Sequence, residues 1–556
     1  MRRLLAALLV LAGGLQVRAD EEHGMPRRAA PVRLMAGLGD HRHPIATAEP
    51  EAQRFFDQGL NLVFAFNHEE AVRSFARAAE LDPKAAMPRW GIALALGPNI
   101  NLDVDPARER AAYDAVQKAL ALARRAPVHE RAYVEALARR YANDRAGGPI
   151  IDLKALAADY KNAMGELVRR YPDDLDAATL YAESAMDLHP WQLWQADGTP
   201  TEGTEEITAV LESVLKRDPL HPGANHYYVH AVEASPHPER ALPSAARLET
   251  LVPGAGHLVH MPAHIYMRTG DYLRAAQANE RAVEADRAYV AEGGHEMYAL
   301  MYYAHDFHFM AAAYAMAGRG AAAQRAAGAV VATTRANAGD LTQLDPAGVA
   351  MVDLFLMTPT FVGLRVHDWA GVLAAPAPDG ILPVSPGLWH FARGVAFAAT
   401  GKRREARAER EALEAARGAL PADAMFGYSR GADVLELAAA VLDARLAEAG
   451  GDRAGAVMPW RRAVEVQDRL NYDEPPDWYY PVRESLGGAL LRAGRPAEAE
   501  MVFRADLERN PRNPRSLFGL AESLRAQKKA ADAAWVRAAF EGAWRDADTQ
   551  LTSRDL

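Results

Sequence analysis

The sequence predicts an all-α protein in which helical hairpins stack on one another. Segments near both ends, 52–83 and 487–511, carry small and aromatic residues at the same spacings, as expected for two amphipathic helices joined by a short turn. No stretch alternates apolar and polar residues for long enough to suggest a sheet. The helical pattern is interrupted by short Gly- and Pro-rich stretches, which favour turns and insertions between hairpins.

The first 19 residues have the pattern of a secretory signal peptide. Two arginines precede the apolar stretch 4–15, and the small residue Ala19 comes just before three acidic residues. Twelve apolar residues form a helix of about 18 Å, which is too short to cross a bilayer. We therefore expect cleavage after Ala19 and a periplasmic or secreted protein. An uncleaved membrane anchor is the alternative.

The composition narrows the possible chemistry. The chain has no cysteine, which excludes thiol nucleophiles and cysteine-based metal sites and suits an oxidising compartment. It has 63 basic and 73 acidic residues and no basic block, so we do not expect nucleic acid as a partner. We also expect no membrane span after signal cleavage, since no later segment has 18 uninterrupted apolar residues.

The repeating positions resemble the tetratricopeptide repeat, a family of helix–turn–helix units. The matching residues are Gly59, Leu62, Ala71, Phe75 and Ala78 near one end, and Gly487, Leu490, Ala499 and Phe503 near the other. The resemblance implies a right-handed α-solenoid that binds a protein or a small molecule in its concave groove. Segments 225–233 and 257–264 also resemble exported bacterial repeat proteins of uncharacterised function.

This reading divides the chain into consecutive parts. We predict a signal peptide over 1–19, a loose lead-in over 20–50, and N-terminal hairpins over 51–170. Central hairpins follow over 171–340, an irregular helical and loop segment over 341–386, and C-terminal hairpins with a capping helix over 387–556.

Histidines are concentrated in the central hairpins. Nine of the 18 lie between residues 226 and 308. At 100° per residue, seven of these histidines lie on one face of the first helices of three consecutive hairpins. The resemblance implies that this face lines the concave groove. The helix before them places Glu183 and Asp187 in the same phase. The three helices contribute His226, His230 and Glu233; His257, His260 and His264; and His305 and His308.

This pattern predicts a transition-metal site, because imidazoles from adjacent helices can share one ion. The predicted ligands are the seven histidines, with His257 and His305 as the weaker members. The metal is Zn, Cu or Fe, and two ions are possible. Glu233 is predicted as a ligand or as a base, and Asp187 as a second proton carrier.

Two alternatives remain open at this stage. The same metal could serve a metal-dependent enzyme, either a hydrolase or an oxidoreductase. In the other alternative the chain is a plain interaction scaffold whose histidines are structural. The segment 473–483 could also present Trp478, Tyr479 or Arg483 to a ligand, and Glu183 is a further groove candidate. A packed turn is the other interpretation of that segment.

Overall fold

The computed structural model describes residues 31–101, 106–141, 152–292 and 295–556. The predicted signal peptide and the start of the lead-in lie outside these residues. The all-α fold is confirmed, since the described chain is mainly helical. Its strands are two short antiparallel segments, Met425–Phe426 and Ser429–Arg430.

The helices follow one another with short connections. Single turns of 3₁₀ helix occur at Ala138–Arg140, Pro238–Ala241 and Leu341–Gln343, and a π-helical turn occurs at Ala299–Tyr303. In chain order the α-helices are α1 Pro50–Phe64, α2 His68–Leu81, α3 Met87–Leu96, α4 Pro106–Ala123, α5 Val128–Leu137, α6 Leu153–Arg170, α7 Leu175–Met186, α8 Thr204–Arg217, α9 Pro222–Glu233, α10 Leu242–Leu251, α11 Gly256–His260, α12 Pro262–Arg268, α13 Tyr272–Ala291, α14 Glu296–Tyr298, α15 Ala304–Met316, α16 Gly320–Asn337, α17 Pro346–Arg365, α18 Trp369–Ala374, α19 Ser385–Ala399, α20 Arg403–Ala419, α21 Gly431–Ala449, α22 Val457–Gln467, α23 Arg483–Arg492, α24 Pro496–Arg509, α25 Pro514–Ala526 and α26 Ala530–Ala543.

The helices form stacked hairpins. Most helices pack against the next helix in the chain, and alternate helices also touch, as in the pairs α1–α3, α7–α9, α15–α17 and α19–α21. This arrangement gives two layers, with the first helices of successive hairpins side by side in one of them. The chain therefore has a helical-repeat fold, and the histidine-bearing helices α9, α11, α12 and α15 lie in its central part.

Close packing of glycines against phenylalanine explains the matching spacings at the two ends. A Cβ atom on Gly59 would lie 2.6 Å from the ring of Phe75, and one on Gly91 would lie 2.5 Å from it. Phe503 is enclosed in the same way by Gly487 and Gly519. In both hairpins the aromatic ring of a second helix fills the space that the glycines of two first helices leave open.

The C-terminal hairpins fold back onto the centre of the array. Arg512 Nη2 donates to Thr269 O over 3.0 Å, and the amide of Gly320 donates to Asp548 Oδ1 over 2.7 Å. These contacts bridge more than 200 residues of sequence, so the array curls back around its groove.

The described part of the lead-in, residues 31–49, is held by specific hydrogen bonds. Asp176 on α7 accepts from His41 Nε2 at 2.9 Å and from His43 Nδ1 at 2.8 Å. Gln58 on α1 accepts from the amide of Met35 at 2.7 Å. This segment therefore lies against the first and seventh helices.

One described helix, α17, is long and apolar enough to cross a membrane, with a mean hydropathy of 1.6. Within this fold 61% of that stretch is buried, and helices on either side pack against it. A buried core helix has the same character. Its buried carboxylate Asp353 accepts hydrogen bonds from the amides of Val384 and Ser385.

Candidate metal centre

Four helices bring the central histidines together. His226 and His230 lie on α9; His257 and His260 on α11; His264 on α12; and His305 and His308 on α15. Two irregularities in the helical backbone affect the directions in which these histidine side chains point. Pro262 cannot donate a backbone hydrogen bond, and the helix is interrupted between α11 and α12. The π-helical turn Ala299–Tyr303 leads directly into α15.

The first group, which we call triad 1, consists of His226, His230 and His257. One ring nitrogen of each lies within 4.8 Å of the other two. His226 Nδ1 donates to the backbone oxygen of Phe64 over 2.6 Å, and its Nε2 lies 3.1 Å from His257 Nε2. His230 Nδ1 lies 2.7 Å from Glu233 Oε1. The buried Nε2 of His230 has no hydrogen-bond partner among the described residues.

The second group, triad 2, consists of His260, His264 and His305, again with ring nitrogens within 4.8 Å of one another. His260 Nδ1 lies 2.6 Å from Asn279 Oδ1, and His264 Nδ1 contacts Glu233 Oε2. One carboxylate, Glu233, thus orients a histidine of each triad.

The hydrogen bonds at Nδ1 decide which nitrogen carries the proton in triad 2. Asn279 Nδ2 donates to the Ala275 carbonyl, which leaves Oδ1 as an acceptor toward His260. Glu233 is also an acceptor. Nδ1 must therefore carry the hydrogen in His260 and in His264, and each neutral ring has its lone pair on Nε2. These two Nε2 atoms lie only 2.8 Å apart, so two lone pairs face each other.

A shared metal ion would resolve this repulsion. Two ligands at about 2.0–2.1 Å from one ion lie about 2.9 Å apart at a right angle and about 3.4 Å apart at a tetrahedral angle. The Nε2–Nε2 distances of 2.8 Å in triad 2 and 3.1 Å in triad 1 agree with ligands on one ion. Hydrogen bonds from the far ring nitrogen to a carboxylate or carbonyl are typical of metal-binding histidines.

A shared proton is a poor substitute for the ion. Burial and a neighbouring imidazole hold the pKa of His226, His257, His260 and His305 well below the usual range. For Glu233, burial opposes the charge, but His264 and His230 lower its pKa to about 2. These four imidazoles are thus held neutral beside one ionised carboxylate at neutral pH.

Apolar rings enclose both triads. Phe66 lies against all three rings of triad 1, with centroid distances of 4.5 Å to His226, 5.5 Å to His257 and 5.9 Å to His230. Phe66 and Trp191, which packs edge-on against His230, have positive φ angles of 56° and 58°. Left-handed backbone is strained for aromatic residues and is often found at functional sites.

A small cavity of about 40 Å³ lies between the triads and is lined by His230 and His257 of triad 1 and by His264 and His305 of triad 2. Tyr428 and Glu474, among other residues, line both this cavity and a groove of about 2540 Å³. Burial raises the pKa of Glu474 to about 7, and its Oε2 has no hydrogen-bond partner among the described residues. The groove therefore leads to the histidines past the carboxyl group of Glu474.

The remaining predicted site residues lie outside the triads. His308 lines the small cavity with its ring against Phe355, and burial lowers its pKa to about 4. Asp187 pairs with Arg140 at 2.9 Å. The pKa of Glu183 is raised well above its usual value, by burial and by Asp187. These two acids form a separate polar group at the C-terminal end of α7.

The aromatic segment borders the groove, but much of it is packed. Trp478 is buried against Phe361 and Phe391. Tyr479 stacks on Phe361, and Arg483 makes two hydrogen bonds of 2.7 Å to Asp468. All three line the groove wall. Glu474, four residues before Trp478, lies closer to the triads, and only its place in this unusual segment could have indicated it.

Another group of histidines lies against the lead-in, and the position of the proton on one of its rings does not favour a metal ion. His41, His221 and Asp176 have ligand atoms within 4.8 Å of one another. His221 Nδ1, however, accepts a hydrogen bond from the amide of Ala224 at 3.2 Å, so its Nε2 carries the proton and points at Asp176, 3.1 Å away. His221 therefore offers no lone pair to an ion there. This group is a hydrogen-bonded clamp that holds the lead-in.

No protein-family profile and no curated protein matches the sequence. Among solved structures, the human IFIT1 dimer with m7Gppp-AAAA is 12% identical, with 91% of this chain and 92% of that chain covered and a TM-score of 0.30. The TPR domain of P58(IPK) is 10% identical, with 86% and 99% covered and a TM-score of 0.22. Both TM-scores are low, and the helical-repeat fold is therefore assigned from the helix packing described above.

Proposed function

We propose that this helical-repeat protein binds two transition-metal ions, one in each triad, and uses them to bind a small ligand that enters from the groove. The observation that carries the proposal is the pair of lone pairs on His260 and His264, 2.8 Å apart. A metal-free protein would have to bury that repulsion, whereas an ion turns both nitrogens into ligands.

The number of protein ligands supports ligand binding rather than a purely structural role. Structural zinc sites have four protein ligands, whereas catalytic sites have three and leave a position open. Each triad supplies three histidines, and members of both line the small cavity. An open position on each ion would therefore lie beside the cavity.

Elemental analysis of the full-length protein, purified after growth with several metals, tests this proposal. We expect about two ions per chain. The double variant His260→Ala, His264→Ala should retain about one, and His237→Ala, a change at an exposed histidine, should retain both. Circular dichroism checks that each variant is folded. Wild-type protein without stoichiometric metal at neutral pH would contradict the proposal and leave the plain scaffold.

A metal-dependent enzyme is the second candidate, favoured by the position of Glu474. This buried carboxyl group lies between the groove and the cavity, and one of its oxygens has no partner among the described residues, as expected of a group that moves a proton to or from a metal-bound ligand. Glu474→Gln should leave the metal content unchanged and reduce turnover. Loss of metal in this variant would instead make Glu474 a structural support.

We further propose that the protein is exported and that a protein or a small molecule, rather than nucleic acid, occupies the groove. The support is the pattern of residues 1–19 and the acidic balance of the chain. Mass spectrometry of the mature protein should find Asp20 at its N-terminus. A retained N-terminus would favour the membrane anchor.

A further inference from the structure

The choice of metal depends on the ligand atoms that the two triads offer. All six are imidazole nitrogens, and neither triad contains a carboxylate oxygen or a sulfur. Calcium and magnesium require oxygen ligands, and paired iron or manganese ions in helical bundles are held largely by glutamates. Neutral imidazole nitrogens suit copper, zinc, iron and nickel, and among the divalent ions Cu²⁺ binds such sites most tightly.

The charge of the ions separates copper from zinc. Glu233 contacts one ring of each triad, and Asp306 Oδ1 lies 3.2 Å from His260 Nδ1. The cost of burying an ion increases steeply with its charge. Two Cu(I) ions bring two positive charges into this enclosed site, whereas two Zn²⁺ ions bring four.

The size of the cavity indicates the ligand. One water molecule needs about 10–15 Å³ of such space, so about 40 Å³ holds about three water-sized groups, which is enough for a diatomic molecule. The cavity is lined by histidines of both triads, so one small molecule there reaches both metal positions.

We propose that the two triads hold a pair of copper ions and that this pair binds dioxygen in the cavity between them. The inference rests on the proposed function, that each triad binds an ion. In the binding step each Cu(I) gives one electron to dioxygen, which is reduced to peroxide and bridges the two resulting Cu(II) ions. The O–O bond remains, no proton is transferred, and release of dioxygen returns both electrons to the copper ions.

The enclosure fits this chemistry. Phe66 covers triad 1, and Phe309 lies 5.2 Å from the rings of His260 and His264, so water is kept from the bound peroxide on those sides.

The test uses full-length metal-free protein loaded anaerobically with Cu(I) and then exposed to dioxygen. We expect two copper ions per chain, uptake of one dioxygen per pair, and a new near-ultraviolet charge-transfer band from peroxide to copper. The oxidised pair should give no electron paramagnetic resonance signal. Evacuation should reverse the band, and the Zn²⁺-loaded protein should show none.

Variants connect the signal to each triad. His257→Gln and His264→Gln should each lose one copper ion and the band, whereas His237→Gln should keep both. Two bound coppers without dioxygen uptake, or binding of zinc but not copper, would overturn this inference and leave the proposed function standing. Failure to bind any metal would overturn both. Since the zinc comparison uses the wild-type chain, the test does not depend on the folding of a variant.

Discussion

Replacing Glu233 with glutamine should weaken the binding of one ion and spare the other. The carboxylate accepts one hydrogen bond from His230 and one from His264, and so orients one ligand of each triad. A glutamine keeps one acceptor oxygen, but it turns an NH₂ group toward the second ring. That ring must then move its proton from Nδ1 to Nε2 to accept from the amide, which removes its lone pair from the metal.

The size of the effect follows from the bond that is lost. A hydrogen bond to a charged group contributes about 1.5–3 kcal/mol. Loss of such an orienting partner lowers metal affinity by about 10–100-fold, or about 1.4–2.7 kcal/mol, which is the same range. We therefore expect one binding step with wild-type affinity and a second that is about 10–100-fold weaker.

Competition with a chromophoric chelator, combined with elemental analysis, measures both steps. Glu212→Gln is the matched control, because Glu212 also accepts from a side chain of α9, the hydroxyl of Tyr228, but on the face away from the triads. It should leave both affinities unchanged. Wild-type affinity for both ions in Glu233→Gln would refute the role of Glu233 as the shared orienting group.

Three further changes test other parts of the account. The pKa of His257 is lower in the folded protein than in the unfolded chain, so the unfolded chain takes up the proton first and stability falls as the pH drops below about 6.5; in urea titrations from pH 6.5 to 5, metal-free wild type should lose about 1.7 kcal/mol more in total than His257→Gln, and parallel curves would contradict this. Phe66→Ala should destabilise the metal-free protein by about 3–5 kcal/mol, measured by urea unfolding, since it empties a buried space against three rings; a change below 1 kcal/mol, on the order of a surface substitution, would show that Phe66 is not packed as described. Asp176→Asn replaces one of the two acceptor oxygens that three histidines share with an NH₂ donor, and it should speed proteolysis within residues 31–49 without changing metal content; an unchanged cleavage rate would show that Asp176 does not hold the lead-in.

Helical phase explains why much of the centre was predictable. The spacing of small and aromatic residues indicates the hairpins, and 100° per residue places the histidines of α9, α11, α12 and α15 on one face. Glu233, which the sequence predicts as a ligand or a base, accepts hydrogen bonds from two rings and forms with His230 and His264 a further group that could hold an ion. The phase alone also gives no reason to divide the histidines into two groups of three, because that division depends on the break at Pro262 and on the π-helical turn before α15.

Contacts between residues that are far apart in the sequence explain what the sequence could not show. Phe64 contacts His226 across 162 positions, through packing of α1 on α9, and no local pattern encodes that contact. The approach of Glu474 to the cavity likewise depends on the C-terminal hairpins folding back on the centre. These contacts form because small rotations between successive hairpins add up along the array.

Anomalous diffraction from crystals of copper-loaded protein, recorded at the metal absorption edge, tests the central claim most directly. We predict two peaks, one at His226, His230 and His257 and one at His260, His264 and His305, each about 2.0–2.1 Å from three ring nitrogens. A single peak elsewhere, or imidazole rings that are hydrogen-bonded to one another with no ion between them, would contradict the paired centre.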